Sequence, residues 1–560
     1  MGLQHLRPPG RPARPGRGGG GRGAAQGPAR RARDRARGPR PPARRRLLAG
    51  RSPGLLRALH GLVQRLRPRA VPQGEGVARP LPEPAGGAAR AQHARGGLIA
   101  VPDPIAEARA AAGALRRLLL GTPEETVRLA VTGLSRAGKT VFVTALAANL
   151  MAAPRDPRRM AALPAVAEGR VVAAAEAGLT VADAPLFPLG AALAALAGEA
   201  RWPEPTTRLT KLALALEVLT PTPGWLGRQL GPSRRTVRLE VVDYPGEWLL
   251  DLPLLGRSFE AWSAAELARA EEAPRAGHAA AWRAALAGLD PQAPTEHATL
   301  ARLAEAYTAY LRRCRDEAGL AALTPGRFLN PDAWAGMSFL LFCPLPVPAG
   351  AHPRAGSLWA TMRAHYDEYL RRTRAEFLAP HMARFDAQIV LVDLFRALAS
   401  GAASFADTRA ALAEIAAALR PEGGWLARLG LARAPPLPVY AATKADYVPE
   451  SQRGQLVALL RHLVGGNGAT LAVAAAACTR DITIEERGRA VEAVEGLVAG
   501  GGREAFWFAG GIPVETPSSA WFDRRYAVPV FAPPAIDPER GLRHLNLDRV
   551  LAAALPEVFA

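Results

Sequence analysis

Residues 127–142 read V-R-L-A-V-T-G-L-S-R-A-G-K-T-V-F, and this stretch decides the fold. Its first six residues predict a buried strand, and the apolar residues after Thr140 predict a helix. Between them, residues 133–140 match the pattern G-x(4)-G-K-[ST]. In this pattern a glycine-rich turn wraps phosphate oxygens with backbone N–H groups, and the helix adds its positive N-terminal end. The stretch therefore predicts the phosphate-binding loop (P-loop) of a nucleotide-binding protein.

Each polar position of this loop has an expected role. Lys139 would reach the β- and γ-phosphates and take part in catalysis, while the Thr140 hydroxyl would ligate Mg²⁺. The chain has 68 Arg and three Lys, so a lysine here does not follow from composition. A guanidinium cannot replace the compact ammonium that the loop needs. The loop residues expected to contact the nucleotide are Gly133, Ser135, Arg136, Ala137, Gly138, Lys139 and Thr140.

A second motif follows a second predicted strand, residues 237–242, in the sequence D-Y-P-G-E. A D-x-x-G at this place is typical of GTP-binding proteins, in which the Asp holds Mg²⁺ and the Gly N–H contacts the γ-phosphate. We therefore expect Asp243 to be a metal ligand and Gly246 a nucleotide contact. Glu247 would position the attacking water or cap the next helical turn. Because a carboxylate repels the γ-phosphate, we expect slow hydrolysis.

A third motif, T-K-A-D at residues 443–446, fits the guanine-recognition pattern [NT]-K-x-D. A fixed Asp446 carboxylate can accept hydrogen bonds from guanine N1–H and the exocyclic amine, and adenine has no N1–H to offer. Thr443 and Lys444 would complete the base site. The alternative is that Asp446 caps a helix after the strand. A further base-contacting loop is expected near residues 476–479.

The pattern of the rest of the chain predicts an α/β fold. Apolar runs at 387–393, 438–442 and 470–475 predict three more strands, and strands that alternate with helices favour a mostly parallel sheet covered on both faces. About 140 residues with helical period separate Asp243 from the next strand and predict an inserted α-helical subdomain. The expected domains are a disordered extension 1–95, a first core part 96–255, the helical insertion 256–384 and a second core part 385–560.

The formal net charge of +21 has an uneven distribution along the chain. Residues 1–100 hold 22 Arg and three acidic residues, a charge of +19, and the remaining residues carry +2. Runs of Arg, Pro, Gly and Ala predict disorder over 1–95. This segment is an extension without function, an electrostatic tail for nucleic acid or anionic lipid, or a transit peptide. We expect no specific nucleic-acid binding by the nearly neutral core.

Cysteine usage and hydropathy bear on localisation. Three widely spaced cysteines show no metal-ligand spacing and suit a reducing compartment. The apolar run 469–478 is about half the ~20 residues needed to cross a bilayer. We therefore expect a cytoplasmic protein that could associate with a membrane peripherally.

These motifs carry a family resemblance. The blocks that carry it are V-T-G-L-S-R-A-G-K-T-V-F at 131–142, R-W-P-E-P-T at 201–206, V-V-D-Y-P-G-E-W-L-L-D-L-P-L-L at 241–255, Q-I-V-L-V-D at 388–393 and T-K-A-D. In these blocks the chain resembles the YcjX-like family of P-loop GTPases, also described as stress-inducible predicted ATPases. The resemblance implies a modified Ras-like GTPase core, a bacterial stress role in the cytoplasm and an effector that is membrane-associated. The Arg-rich first hundred residues fall outside it.

The resemblance also implies a first switch threonine, Thr206 or Thr207, that would ligate Mg²⁺ when the γ-phosphate is present; a helix cap is the alternative. An internal arginine, Arg136, Arg201 or Arg208, could stabilise the transition state. The predicted function is a switch that binds GTP or GDP with Mg²⁺ and hydrolyses GTP slowly. An ATP-specific enzyme, a nucleotide-bound structural protein with negligible turnover and a binder of anionic polymers or membranes remain open.

Overall fold

The computed structural model describes residues 124–134, 136–181, 183–197, 200–221, 232–348, 350–420, 436–498, 501–508, 511–523, 528–534 and 541–560. The extension 1–95 and the loop residue Ser135 lie outside the described residues, so what the sequence predicts for them stays a prediction.

A seven-stranded sheet in the order β2-β3-β4-β1-β5-β6-β7 forms the centre of the fold. Neighbouring strands pair in parallel from β4 through β1, β5 and β6 to β7, whereas β3 is antiparallel to β4 and β2 to β3. The strands are β1 (Glu124–Gly133), β2 (Val171–Ala177), β3 (Thr210–Thr220), β4 (Ser233–Asp243), β5 (Ala387–Val392), β6 (Val439–Ala442) and β7 (Ala469–Ala472).

The five strands predicted from apolar runs are all present, and together they form the parallel part of the sheet. All six residues of β5 are buried, as expected for a central strand covered on both faces. The antiparallel strands β2 and β3 were not predicted. The fold class is the predicted one, a mixed α/β fold with a mostly parallel sheet, as in a Ras-like P-loop GTPase core.

Helices cover both faces of the sheet. The helices are α1 (Lys139–Ala152), α2 (Pro164–Ala167), α3 (Leu189–Ala197), α4 (Phe259–Arg269), α5 (Arg275–Leu286), α6 (His297–Asp316), α7 (Leu358–Thr373), α8 (Leu394–Ala399), α9 (Ala402–Ala418), α10 (Glu450–Val464) and α11 (Leu547–Ala554). Helices α1, α3 and α11 share one apolar core with one face of the sheet. Helices α8, α9 and α10 share a second core with the opposite face, together with the 3-10 segment Gly246–Gly256. Among the described residues, no helix combines the length and hydropathy that a bilayer crossing requires.

Helices α4 to α7 lie between β4 and β5 in the chain and pack around an aromatic core of their own. Trp262 stacks on Tyr366 at a centroid distance of 5.1 Å, and Trp282 stacks on Tyr310 at 5.3 Å. The residues that α6 buries are mostly apolar or aromatic and include Leu300, Leu303, Tyr307, Tyr310, Leu311 and Cys314.

A separate three-stranded antiparallel sheet follows β7 and was not predicted. Its strands β8 (Thr479–Glu486), β9 (Arg489–Leu497) and β10 (Arg503–Phe506) pair in the order β10-β9-β8. Val494 and Phe506 bury their side chains in the core that α8, α9 and α10 share.

Candidate functional site

The carboxyl ends of the parallel strands border an open cleft of about 990 Å³. This edge is where α/β sheets bind their ligands, because the loops after the strands and the N-termini of the following helices converge there. Three of the predicted segments meet in this cleft. Its lining includes Arg136, Ala137, Gly138, Lys139, Thr140, Thr206, Thr443, Lys444 and Asp446.

The P-loop motif runs from Gly133, the last residue of β1, to the start of α1. Gly138 lies directly before α1 and has a φ of +85°. Glycine adopts this left-handed backbone conformation without strain. The Lys139 ammonium donates to the carbonyl oxygen of Gly133 over 3.1 Å. A Cβ on Gly133 would lie 2.4 Å from the carbonyl oxygen of Leu391 in β5, so the loop starts where only glycine fits.

The D-x-x-G turn packs directly against the start of the P-loop. A Cβ on Gly246 would lie 1.7 Å from the carbonyl oxygen of Gly133. Tyr244 is fully buried between these elements, and its hydroxyl accepts a hydrogen bond of 2.6 Å from the Gln388 side chain. The glycine is therefore required by the close approach of two backbones.

Asp243, Thr140 and Thr206 form a cluster beside the P-loop. The Thr140 and Thr206 hydroxyl oxygens lie 2.9 Å apart, and the Thr206 N–H donates to the Thr140 hydroxyl over 3.1 Å. Burial raises the pKa of Asp243 to about 6, an effect that Lys139 and the nearby Thr206 hydroxyl partly offset. Neither Asp243 carboxylate oxygen accepts a hydrogen bond of ordinary geometry from a described residue.

A buried carboxylate without a hydrogen-bond donor, next to two hydroxyls, fits a hard cation such as Mg²⁺, which prefers oxygen ligands. The predicted metal ligands Thr140, Asp243 and Thr206 therefore have suitable chemistry and lie together. Within the described part of the chain, no group of three or more His, Cys, Asp and Glu side chains could hold a metal ion. A cation at this cluster would thus need further ligands from a bound phosphate or water.

The T-K-x-D segment follows β6, and β1 and β5 separate this strand from β4, which ends at Asp243. The Asp446 carboxylate is buried and accepts a hydrogen bond of 2.8 Å from the Cys478 N–H. Burial raises the pKa of Asp446, and the hydrogen bonds from Cys478 partly offset this. Residues 474–476 and Cys478 also line the cleft, which is where the sequence predicted a base-contacting loop. Among the described residues, the Asp446 carboxylate accepts no hydrogen bond from α10; its hydrogen bonds from the Cys478 N–H and thiol hold the loop after β7 in place.

Sequence reasoning missed how the Lys444 side chain is held. Its ammonium lies 2.6 Å from a carboxylate oxygen of Asp393, whose other oxygen accepts the Arg396 N–H at the start of α8. Asp393 follows β5 directly and lines the cleft. The strand-ending carboxylate was visible in the sequence, but its partner on another strand was not.

Glu247 lies outside the cleft lining. It is buried and borders a smaller cavity with Arg315 and Arg396. Of the predicted arginines, Arg136 lines the cleft, whereas Arg201 pairs with Glu204 at 3.6 Å and Arg208 is exposed. Arg396 borders both cavities and was not predicted.

Comparison with known proteins places these features in a family. A family model described as the YcjX-like family, DUF463, matches residues 127–558. The chain is 33% identical over 447 residues to the Ras-like GTPase YcjX of Escherichia coli (strain K12). The aligned region covers 76% of this chain and 94% of that protein. The chain is also 32% identical over 466 residues to the Ras-like GTPase YcjX of Shewanella oneidensis. That alignment covers 78% of this chain and 95% of the relative.

Proposed function

The chain belongs to the YcjX-like family, and from this premise we propose that it is a nucleotide switch that binds GTP and GDP with Mg²⁺ and hydrolyses GTP slowly. One observation supports this proposal above the others: Asp446 lines the same cleft as the P-loop residues. The names of the two relatives, Ras-like GTPase, point the same way.

The phosphate end of the cleft would act by positioning and by charge neutralisation, which is what phosphoryl transfer requires. The backbone N–H groups of the P-loop and the Lys139 ammonium would hold the β- and γ-phosphates. Thr140, Asp243 and Thr206 would hold Mg²⁺, which neutralises charge on the phosphate oxygens when it is bound. The Gly246 N–H would report the γ-phosphate, because this glycine already contacts the start of the P-loop.

The base end would select guanine through hydrogen bonds. Asp446 would accept from guanine N1–H and the exocyclic amine, while its hydrogen bond from Cys478 N–H keeps the carboxylate in place. The Asp393 carboxylate would keep the Lys444 stem at the edge of the cleft. With adenine bound, the buried Asp446 carboxylate would face no N1–H donor, which makes the ATP-specific alternative less favourable.

The position of Glu247 supports the proposal of slow turnover. This residue borders a separate cavity rather than the cleft, so a role in positioning water requires it to move. The same observation favours a second candidate function, a nucleotide-bound structural or regulatory protein with negligible turnover. We place the protein in the cytoplasm, with a membrane-associated stress protein as its effector, in line with the family resemblance.

The direct test is calorimetric titration of the full chain with GDP, GTP, ADP and ATP in the presence of Mg²⁺. The proposal predicts binding of the guanine nucleotides at least about tenfold tighter than of the adenine nucleotides, since a base site built on hydrogen bonds rejects a base that leaves them unmade. The same titration of Lys139→Ala should show no binding. Equal or tighter binding of ADP and ATP would replace the GTP assignment with the ATPase alternative.

A further inference from the structure

A second open groove, of about 710 Å³, lies outside the nucleotide cleft and shares none of the residues that line it. Its walls are the segment after α1, the start of α10 and residues 542–549. Basic side chains dominate the lining. The arginines are Arg158, Arg159, Arg453, Arg543 and Arg549.

The positive charge of this groove is only partly neutralised within the described part of the chain. Arg159 lies 3.4 Å from Asp156, and Arg453 lies 2.9 Å from Asp481. The side chains of three further arginines have no ion pair or hydrogen bond with any described residue. These three exposed arginines are Arg158, Arg543 and Arg549.

This local excess of arginine is unusual for the folded part of the chain, because the residues after the first hundred carry a net charge of only +2. Two acidic side chains, Glu450 and Asp548, face five arginines in the groove lining. An isolated surface arginine needs no explanation, but several unpaired ones around one concavity raise the local anion concentration.

The backbone that carries the groove arginines is fixed by hydrogen bonds to the loop after β7. Leu545 and Ala474 exchange two backbone hydrogen bonds of 2.8 and 3.0 Å, and Ala477 N–H donates to the Arg543 carbonyl over 2.7 Å. The Asn546 side chain donates to Ala472 at the end of β7. The groove is therefore a built part of the core, with rigid backbone beneath its arginines.

His544 adds a polar group to the same wall. Its Nε2 lies 2.6 Å from the carbonyl oxygen of Arg159, so this nitrogen carries a proton. Its Nδ1 is buried and has no hydrogen-bond partner among the described residues.

From these contacts we propose that the groove is a binding site for a phosphate-bearing anion, separate from the nucleotide cleft. Guanidinium groups bind phosphate oxygens through two parallel hydrogen bonds, and Arg543 and Arg549 are unpaired and exposed for this purpose. The volume of the groove suits a small ligand or headgroup. The ligand is a soluble oligophosphate compound or the headgroup of an anionic lipid, since both offer the same chemistry.

Occupancy of the groove bears on the base end of the nucleotide cleft. Ala474 and Ala477, which bond to the groove wall, belong to the loop whose Cys478 N–H holds Asp446. This consequence rests on the proposed guanine site, whereas the groove itself does not.

The test measures tripolyphosphate binding by calorimetry to the full chain carrying Lys139→Ala, so that the P-loop contributes little. In this background, Arg543→Gln with Arg549→Gln is compared with a matched control, Arg409→Gln with Arg489→Gln, two exposed arginines outside the groove. Because residues 1–100 carry the same charge in every variant, their contribution cancels in the comparison. Thermal unfolding checks that both double variants fold. No nucleotide is used, so failure here is independent of the guanine assignment.

We expect the groove variant to bind tripolyphosphate about tenfold more weakly than the control variant, since it loses charge-assisted hydrogen bonds from two arginines. Cosedimentation with phosphatidylcholine vesicles that contain phosphatidic acid tests the lipid source. Loss of vesicle binding in the groove variant alone, without tripolyphosphate binding to either variant, would assign the site to a lipid headgroup. If neither probe separates the groove variant from the control, the proposal is overturned.

Discussion

The closest backbone approach in the site joins Gly246 to Gly133, and it makes the phosphate end of the cleft sensitive to a single methyl group. A Cβ at position 246 would lie 1.7 Å from the Gly133 carbonyl oxygen, so the D-x-x-G turn would have to move away from the P-loop. We expect Gly246→Ala to lower the free energy of unfolding by about 2–4 kcal/mol, as for other overpacked sites. Urea unfolding measures this, and calorimetry should show weakened GTP binding.

The other end of the same 3-10 segment offers a matched control. A Cβ on Gly256 would meet no atom within 4 Å. Gly256→Ala should therefore change the free energy of unfolding by less than about 1 kcal/mol and leave nucleotide binding intact. If Gly246→Ala and Gly256→Ala changed the free energy of unfolding equally, the D-x-x-G turn would not depend on its contact with the P-loop.

The third lysine, Lys211, is buried in β3 and pairs with Asp183 at 2.5 Å, away from the nucleotide cleft. A small cavity is lined by both residues and by His381. Burial and the nearby Lys211 ammonium lower the pKa of His381 to about 4, although Asp183 acts in the opposite direction. The unfolded chain therefore binds more protons than the folded chain between pH 4 and about 6.5. Neutral His381 stabilises the fold fully above this range and progressively less as the pH falls through it.

Replacement of His381 by Gln removes this titration. Between pH 7 and pH 5 the wild-type protein should lose about 1–2 kcal/mol more unfolding free energy than His381→Gln, after allowance for the partly exposed ring. Urea unfolding at both pH values measures the difference. Parallel loss of stability in the two proteins would mean that His381 titrates normally in the folded chain.

At the scale of elements, the segment that connects α3 to β3 carries Thr206 onto the P-loop. Trp202 anchors this segment, because its indole N–H donates to the carbonyl oxygen of Phe531 over 2.8 Å. No helix begins within residues 201–209, so the alternative in which Thr206 caps a helix does not apply. The hydroxyl that contacts Thr140 belongs to Thr206, while Thr207 is exposed.

We expect Thr206→Val to slow GTP hydrolysis and to weaken GTP binding by about tenfold each, with little change in GDP affinity, because the variant lacks the hydroxyl that we propose as a Mg²⁺ ligand in the GTP state. Thr207→Val, one residue further on, is the matched control and should behave as wild type. Single-turnover hydrolysis and calorimetry provide the two readouts. A Thr206→Val protein with wild-type GTP binding would remove this residue from the switch.

The sequence predicted the elements whose signal is local. Strands β1, β4 and β5 are short apolar runs that precede a motif or a polar residue, and such runs are typical of buried parallel strands. Strand β2, V-V-A-A-A-E-A, is rich in alanine, which is a poor strand former, so its pairing with β3 decides its structure. The sheet β8 to β10 gains its stability from cross-strand pairs and burial against the core, which no local pattern reveals.

The same distinction applies to the candidate site. The P-loop, the D-x-x-G turn and the T-K-x-D segment were predicted because each motif is contiguous in sequence. The ion pair of Lys444 with Asp393 and the hydrogen bond from Cys478 to Asp446 join different strand ends. These partners depend on strand order, so sequence alone could place Asp393 at a strand end but not beside Lys444.

At the scale of the whole molecule, the helical subdomain contributes to the cleft. Residues 316–319, at and after the end of α6, line the cleft together with the P-loop. Lys139 and Asp243 are 104 residues apart, and Asp243 and Lys444 are 201 apart. Lys139 and Lys444 nevertheless line one cleft, and Asp243 interacts with Lys139 and Thr206 beside it. The insertions therefore extend the core without separating its motifs, and they place α6 where a change in the nucleotide could reach the subdomain.

The central claim, that the cleft selects guanine through Asp446, is tested most directly by competition between GDP and xanthosine diphosphate for the wild-type protein and Asp446→Asn. Xanthine has a carbonyl where guanine has its exocyclic amine, so an asparagine amide can donate where the carboxylate accepted. The account predicts that the wild-type protein prefers GDP and that the variant prefers xanthosine diphosphate, each by at least about tenfold. A variant that keeps the wild-type preference for GDP would contradict it.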